Sequence, residues 1–276
     1  MAQPLNDFSR LCVHSQTTKP WDIDQCISEY SKAGIHKISI WRHLLENKDL
    51  NLVKSKLEQH NLEVISLVRG GFFPNISKEK REQALKENID ALYEAQAIGA
   101  PLLVLVCGAD PKQSLEKNRE QITSAIKTLI PIAEQTGVRM AIEPLHPMYA
   151  GDKSAVTTLE QANTLAEIIN SSWVGVAVDV YHVWWDQYLE QQIKRCGKNN
   201  HLFAFHICDW LVPTNHMLTD RGLMGEGCIE LKKIRSWVEE AGFYGAIEVE
   251  VFSERHWNSD QKQYLEKIKK SFLLAT

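Results

Sequence analysis

The sequence predicts an α/β fold closed into a (β/α)8 barrel, and three observations predict it. Eight apolar, partly β-branched runs of strand length recur along the 276 residues. Amphipathic stretches carrying helix start and stop signals separate them. No Pro/Gly/Ser-rich linker and no low-complexity segment divides the chain, which therefore reads as one barrel domain over residues 1–276.

The strands expected in order are Leu11–Val13, Lys37–Ile40, Glu63–Leu67, Leu102–Val106, Arg139–Ile142, Gly175–Val178, Phe203–His206 and Ala246–Val249. Between them, Asp22-Ile23-Asp24 opens a helix that stops at Ala33-Gly34, and Ser77-Lys78-Glu79-Lys80 opens a long one that stops at Ile98-Gly99. The next runs from about Ser114 to Thr136-Gly137. Thr157-Thr158-Leu159-Glu160 starts the fifth. Another begins near Ile229-Glu230 and stops at Ala241-Gly242, and the tail Ser259–Leu274 reads as the last helix. Four of these helices stop at a glycine, which tolerates the left-handed conformation that ends a helix. The longest connections are Arg69–Ile76, Pro144–Val156 and Cys208–Cys228. All follow strands, on the face where barrel enzymes carry their sites, and long loops there imply a covered pocket.

Composition narrows the class. A net charge of −4 offers no basic field for nucleic acid or an anionic membrane, and no apolar run is long enough to span a bilayer. The start, Met-Ala-Gln-Pro-Leu-Asn-Asp, lacks the charged and apolar regions of a signal peptide. The six cysteines are not paired in a C-x-x-C spacing and several stand in apolar contexts, so free thiols in a reducing cytoplasm are expected. Gly70-Gly71 and Gly225-x-Gly227 are not nucleotide loops, because neither stands in a Gly-x-Gly-x-x-Gly or Walker pattern. Gly-x-Ser-x-Gly is absent as well.

Four metal-suitable side chains stand at or near the ends of the last four apolar runs: Glu143, Asp179, His206 and Glu250. A carboxylate buried at a strand end loses its hydration, and a divalent cation compensates for that loss. Any one of these taken singly is ordinarily a helix cap, a turn residue or a core histidine. Four together on consecutive units point to one oxygen-rich site, suited to Mn²⁺ or Mg²⁺ and tolerant of Co²⁺ or Zn²⁺. Glu248 and Glu250 share a strand face; Glu250, nearer the C-terminal end, is the preferred ligand, with Glu248 buried behind it.

With these residues in view, the chain resembles the xylose isomerase-like TIM barrel superfamily, in particular its sugar phosphate isomerase/epimerase group. That group includes D-tagatose 3-epimerase and the inosose isomerases and dehydratases. The resemblance spans nearly the whole chain. It is carried by Ile142-Glu143-Pro144-Leu145-His146-Pro147, Val178-Asp179-Val180-Tyr181-His182, Phe205-His206-Ile207-Cys208-Asp209, Asp220-Arg221-Gly222-Leu223-Met224-Gly225-Glu226-Gly227 and Val249-Glu250-Val251-Phe252. It implies one divalent metal ion, Mn²⁺ first, held by Glu143, Asp179, His206 and Glu250. It places the family's Asp-x-x-His pair on Asp179 and His182, and its arginine on Arg221.

The same resemblance implies a ketose, cyclic inosose or related polyhydroxy carbonyl substrate and proton abstraction through an enediolate. Glu143, Glu250 and His182 are then the catalytic candidates. His182, Arg221, His14, Trp41, Arg69 and His146, all following strand ends or set in the motifs, are candidates to contact substrate. Arg42, Trp184 and Trp185 are further rim positions, and Asp209 is a candidate support for His206. The plain alternative for Arg221 is an ion pair with Glu226 or Asp220. Isomerase or epimerase is the expected activity. Dehydration on the same scaffold, a non-catalytic sugar-binding barrel and phosphodiester cleavage of the endonuclease IV kind are the alternatives. A homo-oligomer is considered through the Trp-rich segment Trp184–Tyr188.

Overall fold

Eight parallel strands close on themselves in the computed structural model, which describes residues 3–276. The first two positions of the N-terminal stretch read above for a leader lie outside it. The barrel strands are β1 (Leu11–His14), β2 (Lys37–Trp41), β3 (Glu63–Gly71), β4 (Leu102–Val106), β5 (Arg139–Glu143), β6 (Val174–Asp179), β7 (Leu202–Ile207) and β10 (Ile247–Val249). They run in the order β1-β10-β7-β6-β5-β4-β3-β2. A two-residue ribbon, β8 (Asp209–Trp210) against β9 (Arg221–Gly222), is antiparallel and folds the long loop after β7 over the barrel mouth.

The helices form the outer layer: α1 (Ile23–Lys32), α2 (Leu50–Gln59), α3 (Lys78–Ile98), α4 (Leu115–Thr136), α5 (Leu159–Ile169), the single turn α6 (Val180–Val183), α7 (Leu189–Lys198), α8 (Leu231–Glu240), the short α9 (Glu254–Trp257) and α10 (Gln261–Ala275). Their starts follow local chemistry. Asp22 accepts from the Gln25 N–H while Gln25 reaches back to Asp22, and Ser77, Ser114 and Thr158 each accept from the backbone three residues on. Gly99 and Gly137 end the two longest helices in the left-handed conformation. Among the described residues no helix is long and apolar enough to cross a membrane. The six cysteines are free thiols, and only Cys228 is exposed.

Strand alternation sorts the core into two layers. Residues such as Leu103, Leu105, Met140, Ile142, Val176, Val178, Phe205 and Ile207 face the helices and join the large outer cluster. The interior holds a smaller cluster of Val68, Leu102, Val104, Ala141, Ala177 and Ala204. The alanines matter for the site. Ala141, Ala177 and Ala204 stand two residues before Glu143, Asp179 and His206, so each polar group shares their inward face, one layer nearer the mouth.

One boundary differs from expectation. β3 does not end at Leu67 with a loop from Arg69; it continues to Gly71. The buried Asn88 of α3 explains the extension. Its Oδ1 accepts from the Gly71 N–H at 2.6 Å and its Nδ2 donates to the Gly71 carbonyl at 2.8 Å. A helix side chain thus pairs the strand backbone where apolar alternation has already ended.

Candidate active site

Glu143 closes β5, Asp179 closes β6, His206 lies one residue before the end of β7, and Glu250 follows β10 directly. The inward face of a barrel strand end brings all four to one place. One ligand atom from each lies within 4.8 Å of the others, and all four residues are buried. The Glu143 Oε1 is 2.9 Å from His206 Nδ1. The Asp179 Oδ1 accepts from the Tyr181 N–H at 2.8 Å and so caps the turn α6, while its Oδ2 accepts from Arg221 at 3.1 Å.

Arg221, at the start of β9, is buried and places one guanidinium nitrogen 3.1 Å from Asp179 and 3.0 Å from Glu250 Oε2. It packs between the rings of Tyr181 and Phe252, at 4.3 and 4.8 Å from their centroids. It pairs with neither Glu226 nor Asp220. Glu226 takes the side chain of Arg255, and Asp220 takes the Asn215 N–H at 2.7 Å.

Behind the cluster lies a layer that sequence reasoning only partly reached. Glu248 is buried, and its Oε2 accepts from Ser39 Oγ at 2.5 Å and Ser66 Oγ at 3.0 Å, with His14 Nε2 at 3.1 Å. The other ring nitrogen of His14 is 2.9 Å from Glu250 Oε1. His14 therefore bridges the two glutamates from beneath. It is wholly buried and is not among the cavity walls, although a substrate contact was expected of it. Ser39 and Ser66 lie on inward positions of β2 and β3; a serine within an apolar strand run was the available signal.

The charges explain each other. Burial tends to keep His206 neutral, but Glu248, Glu143 and Glu250 outweigh it and lift its pKa to about 10. Burial raises Asp179 to about 7; Arg221 opposes this, and Glu250 and Glu143 reinforce it. Glu250 and Glu248 are both held below the usual carboxylate range against the opposing effect of burial. His14 and Arg221 do this for Glu250; His206, His14 and Ser39 do it for Glu248. Burial, then the Arg221 charge, drives His182 well below 6.5, so it is a neutral imidazole. Its Nδ1 accepts from the His146 N–H at 3.2 Å, and its Nε2 lies 3.3 Å from the Arg221 guanidinium and 3.5 Å from Asp179 Oδ2.

A divalent cation fits this donor set. Three buried carboxylates crowd one imidazole, Arg221 offsets only part of their charge, and His206 takes up a proton in the company of so many anions. A dication exchanged for that proton would meet hard oxygens and one nitrogen that all lie within 4.8 Å of one another, about the width of one coordination sphere.

Above the cluster opens a cavity of about 370 Å³, within the range of small-molecule sites. Glu143, Glu250, His182, Arg221, Trp41 and Arg69 line it, and all six were singled out from the sequence. Asp179 and His206 sit just below. Tyr149, Phe72, Lys153 and Phe252 are among the further walls and were not foreseen as such; the first three stand in or beside loops where no periodicity signals direction. His146 turns toward Trp185 and Trp210, with ring centroids 5.7 and 5.2 Å away, and is not a wall residue. Arg42 points outward into a two-pronged pair with Glu94 at 2.7 and 2.8 Å. Trp184 packs on Trp210, while the Trp185 ring nitrogen donates to the His182 carbonyl. Asp209 accepts the backbone N–H groups of Trp210, Gly225 and Ile229, and so organises the loop after β7 instead of touching His206.

Fold and site together define a parallel (β/α)8 barrel with a buried carboxylate–imidazole cluster at its C-terminal mouth. The xylose isomerase-like TIM barrel family model matches residues 28–272, and the chain belongs to that family. It is similar to the inosose isomerase of Halalkalibacterium halodurans, 22% identical over 272 residues that cover 94% of each chain. A crystal structure of a protein from Sinorhizobium meliloti 1021 superposes with a TM-score of 0.94 at 40% identity, over 98% of this chain and 99% of that one. The zinc-bound crystal structure of the IolI protein superposes with a TM-score of 0.84 at 22% identity, over 95% and 96%, a likeness of fold.

Proposed function

We propose that this chain is an enzyme, a divalent-metal-dependent isomerase or epimerase of a polyhydroxy carbonyl compound such as a ketose or inosose. The observation that carries this reading is the convergence of Glu143, Asp179, His206 and Glu250 beneath a sugar-sized cavity. The inosose isomerase relatives and the zinc in IolI support it. A divalent ion held by these four residues supplies Lewis-acid polarisation of a carbonyl oxygen.

The chain's own groups do the rest. Glu143 commits Oε1 to His206, and its Oε2 has no hydrogen-bond partner among the described residues while the side chain lines the cavity. That oxygen is the base that takes the proton next to the carbonyl. Glu250 engages both oxygens, with His14 and Arg221, so it is the better-held carboxylate and accepts a proton less readily. The two glutamates approach from different staves, which lets a proton leave one side of the substrate and return from another. Neutral His182 lines the same cavity beside Arg221, and the pair is placed to meet a substrate oxygen. Trp41 and Phe252, with ring centroids 5.3 Å apart, give the apolar wall that a sugar ring packs against.

Metal analysis of the purified protein, followed by NMR of C–H exchange in D₂O with a panel of ketoses and inososes, tests the reading. The expected result is one divalent ion per chain and deuterium at the carbon beside the carbonyl of at least one panel member, lost on chelation. Bound metal without exchange in any of them would overturn it.

A further inference from the structure

Arg69 owes its position to a β-bulge. β3 pairs with β4 in register through Leu67–Leu103 and Val68–Val104, then resumes at Gly70–Leu105 and Gly71–Val106. Arg69 is the extra residue, opposite nothing. Strict alternation from Ser66 and Val68, which face inward, would send Arg69 out among the helices. The bulge gives the outward place to Gly70 and turns Arg69 into the cavity wall.

Several residues serve this one detour. A Cβ on Gly70 would lie 2.5 Å from Asn88 Oδ1, and one on Gly71, at φ +109°, would lie 1.9 Å from the Val106 carbonyl oxygen. The glycine pair is therefore required by the close approach of β4 and of Asn88, which pins the bulge with its two hydrogen bonds. The guanidinium then rests 4.4 Å from the centroid of Phe72 and 5.9 Å from that of Trp41, both cavity walls.

The other cations of the cavity are already engaged. Arg221 is held by Asp179 and Glu250, and Lys153 stands 2.9 Å from Asp152 Oδ2. Arg69 is an exposed residue of the cavity wall and forms no ion pair among the described residues; partial desolvation is the one effect that lowers its pKa. A guanidinium fixed by aromatic faces, with no anion of its own, is prepared for an anion that arrives with the ligand.

We propose that Arg69 forms an anion subsite, and that the substrate is a polyhydroxy carbonyl compound bearing a carboxylate or phosphate group directed away from the acidic cluster. For the carbonyl part this rests on the isomerase reading above; for the anion it rests on the bulge and its unpaired cation.

Calorimetric titration of the metal-loaded protein with D-fructose, D-fructuronate and D-fructose 6-phosphate tests it, in the wild type and in Arg69→Gln and Arg69→Lys. At least one charged ligand is expected to bind tenfold or more tighter than fructose. That ratio falls toward one in Arg69→Gln and is partly kept in Arg69→Lys. Which charged ligand gains the advantage separates a sugar acid from a sugar phosphate. Equal affinities, an advantage that survives in Arg69→Gln, or no binding by any of the three overturns the subsite. C–H exchange on the same samples keeps the two proposals apart. Exchange with no preference for charge removes the subsite and leaves the isomerase; Arg69-dependent binding without exchange does the reverse.

Discussion

The two halves of the barrel divide the work. β5, β6, β7 and the end of β10 supply Glu143, Asp179, His206 and Glu250, the groups proposed above to hold a cation. β1, β2 and β3 supply His14, Ser39 and Ser66, which hold Glu248 and Glu250 from behind, and then Trp41 and Arg69, which form walls. One half carries charge; the other positions it and shapes the space above it. A cluster of buried carboxylates is only as ordered as the donors around it, because each oxygen left unpaired loses hydration without replacement.

This contrast can be broken most sharply at Asp179. Asp179→Asn should lower kcat/KM for the best exchanging substrate by about 10²–10³-fold, the scale of losing a placed electrostatic group. Metal content should fall with it. Unchanged metal content and exchange would show that the second half does not carry the chemistry.

His14→Gln probes the link between the halves. It removes the imidazole that touches both glutamates, and metal affinity or activity should fall by roughly 10–100-fold, the usual scale for groups that orient metal ligands. A metal titration that overlays the wild type would mean that Glu250 needs no support from β1.

The smallest effect on activity is expected at Ser66. Ser66→Ala removes one of three donors to Glu248 Oε2 and should cost about 1.5–3 kcal/mol of stability, the range for a hydrogen bond to a charged group. Denaturant midpoints measure this. If activity falls as far as in Asp179→Asn while stability holds, the division between halves is wrong.

Much of this was legible in the sequence. All eight strands, the main helix caps and the meeting of Glu143, Asp179, His206 and Glu250 follow from local pattern, since a barrel sends every strand end to one mouth. What pattern could not give are the contacts that cross the fold. Asn88 extends β3 from a helix 17 residues away in sequence. His14 reads as a rim residue because it ends a strand, yet Glu248 and Glu250, more than 230 residues on, draw it beneath the cluster. His146 stands beside a ligand in sequence, but Trp185 and Trp210 take its ring. Tyr149, Phe72 and Lys153 come from or border irregular segments, where neither a period of two nor of 3.6 tells direction.

A single oxygen of Glu248 gathers hydroxyls and an imidazole from three other staves, β1, β2 and β3. The seam where the last strand meets the first is thus stitched by the same atoms that steady the carboxylates of the cluster. A fragment bearing only the later strands would contain Glu143, Asp179, His206 and Glu250, yet would lack the His14, Ser39 and Ser66 contacts behind them. Closing the ring and ordering the buried cluster are therefore one event.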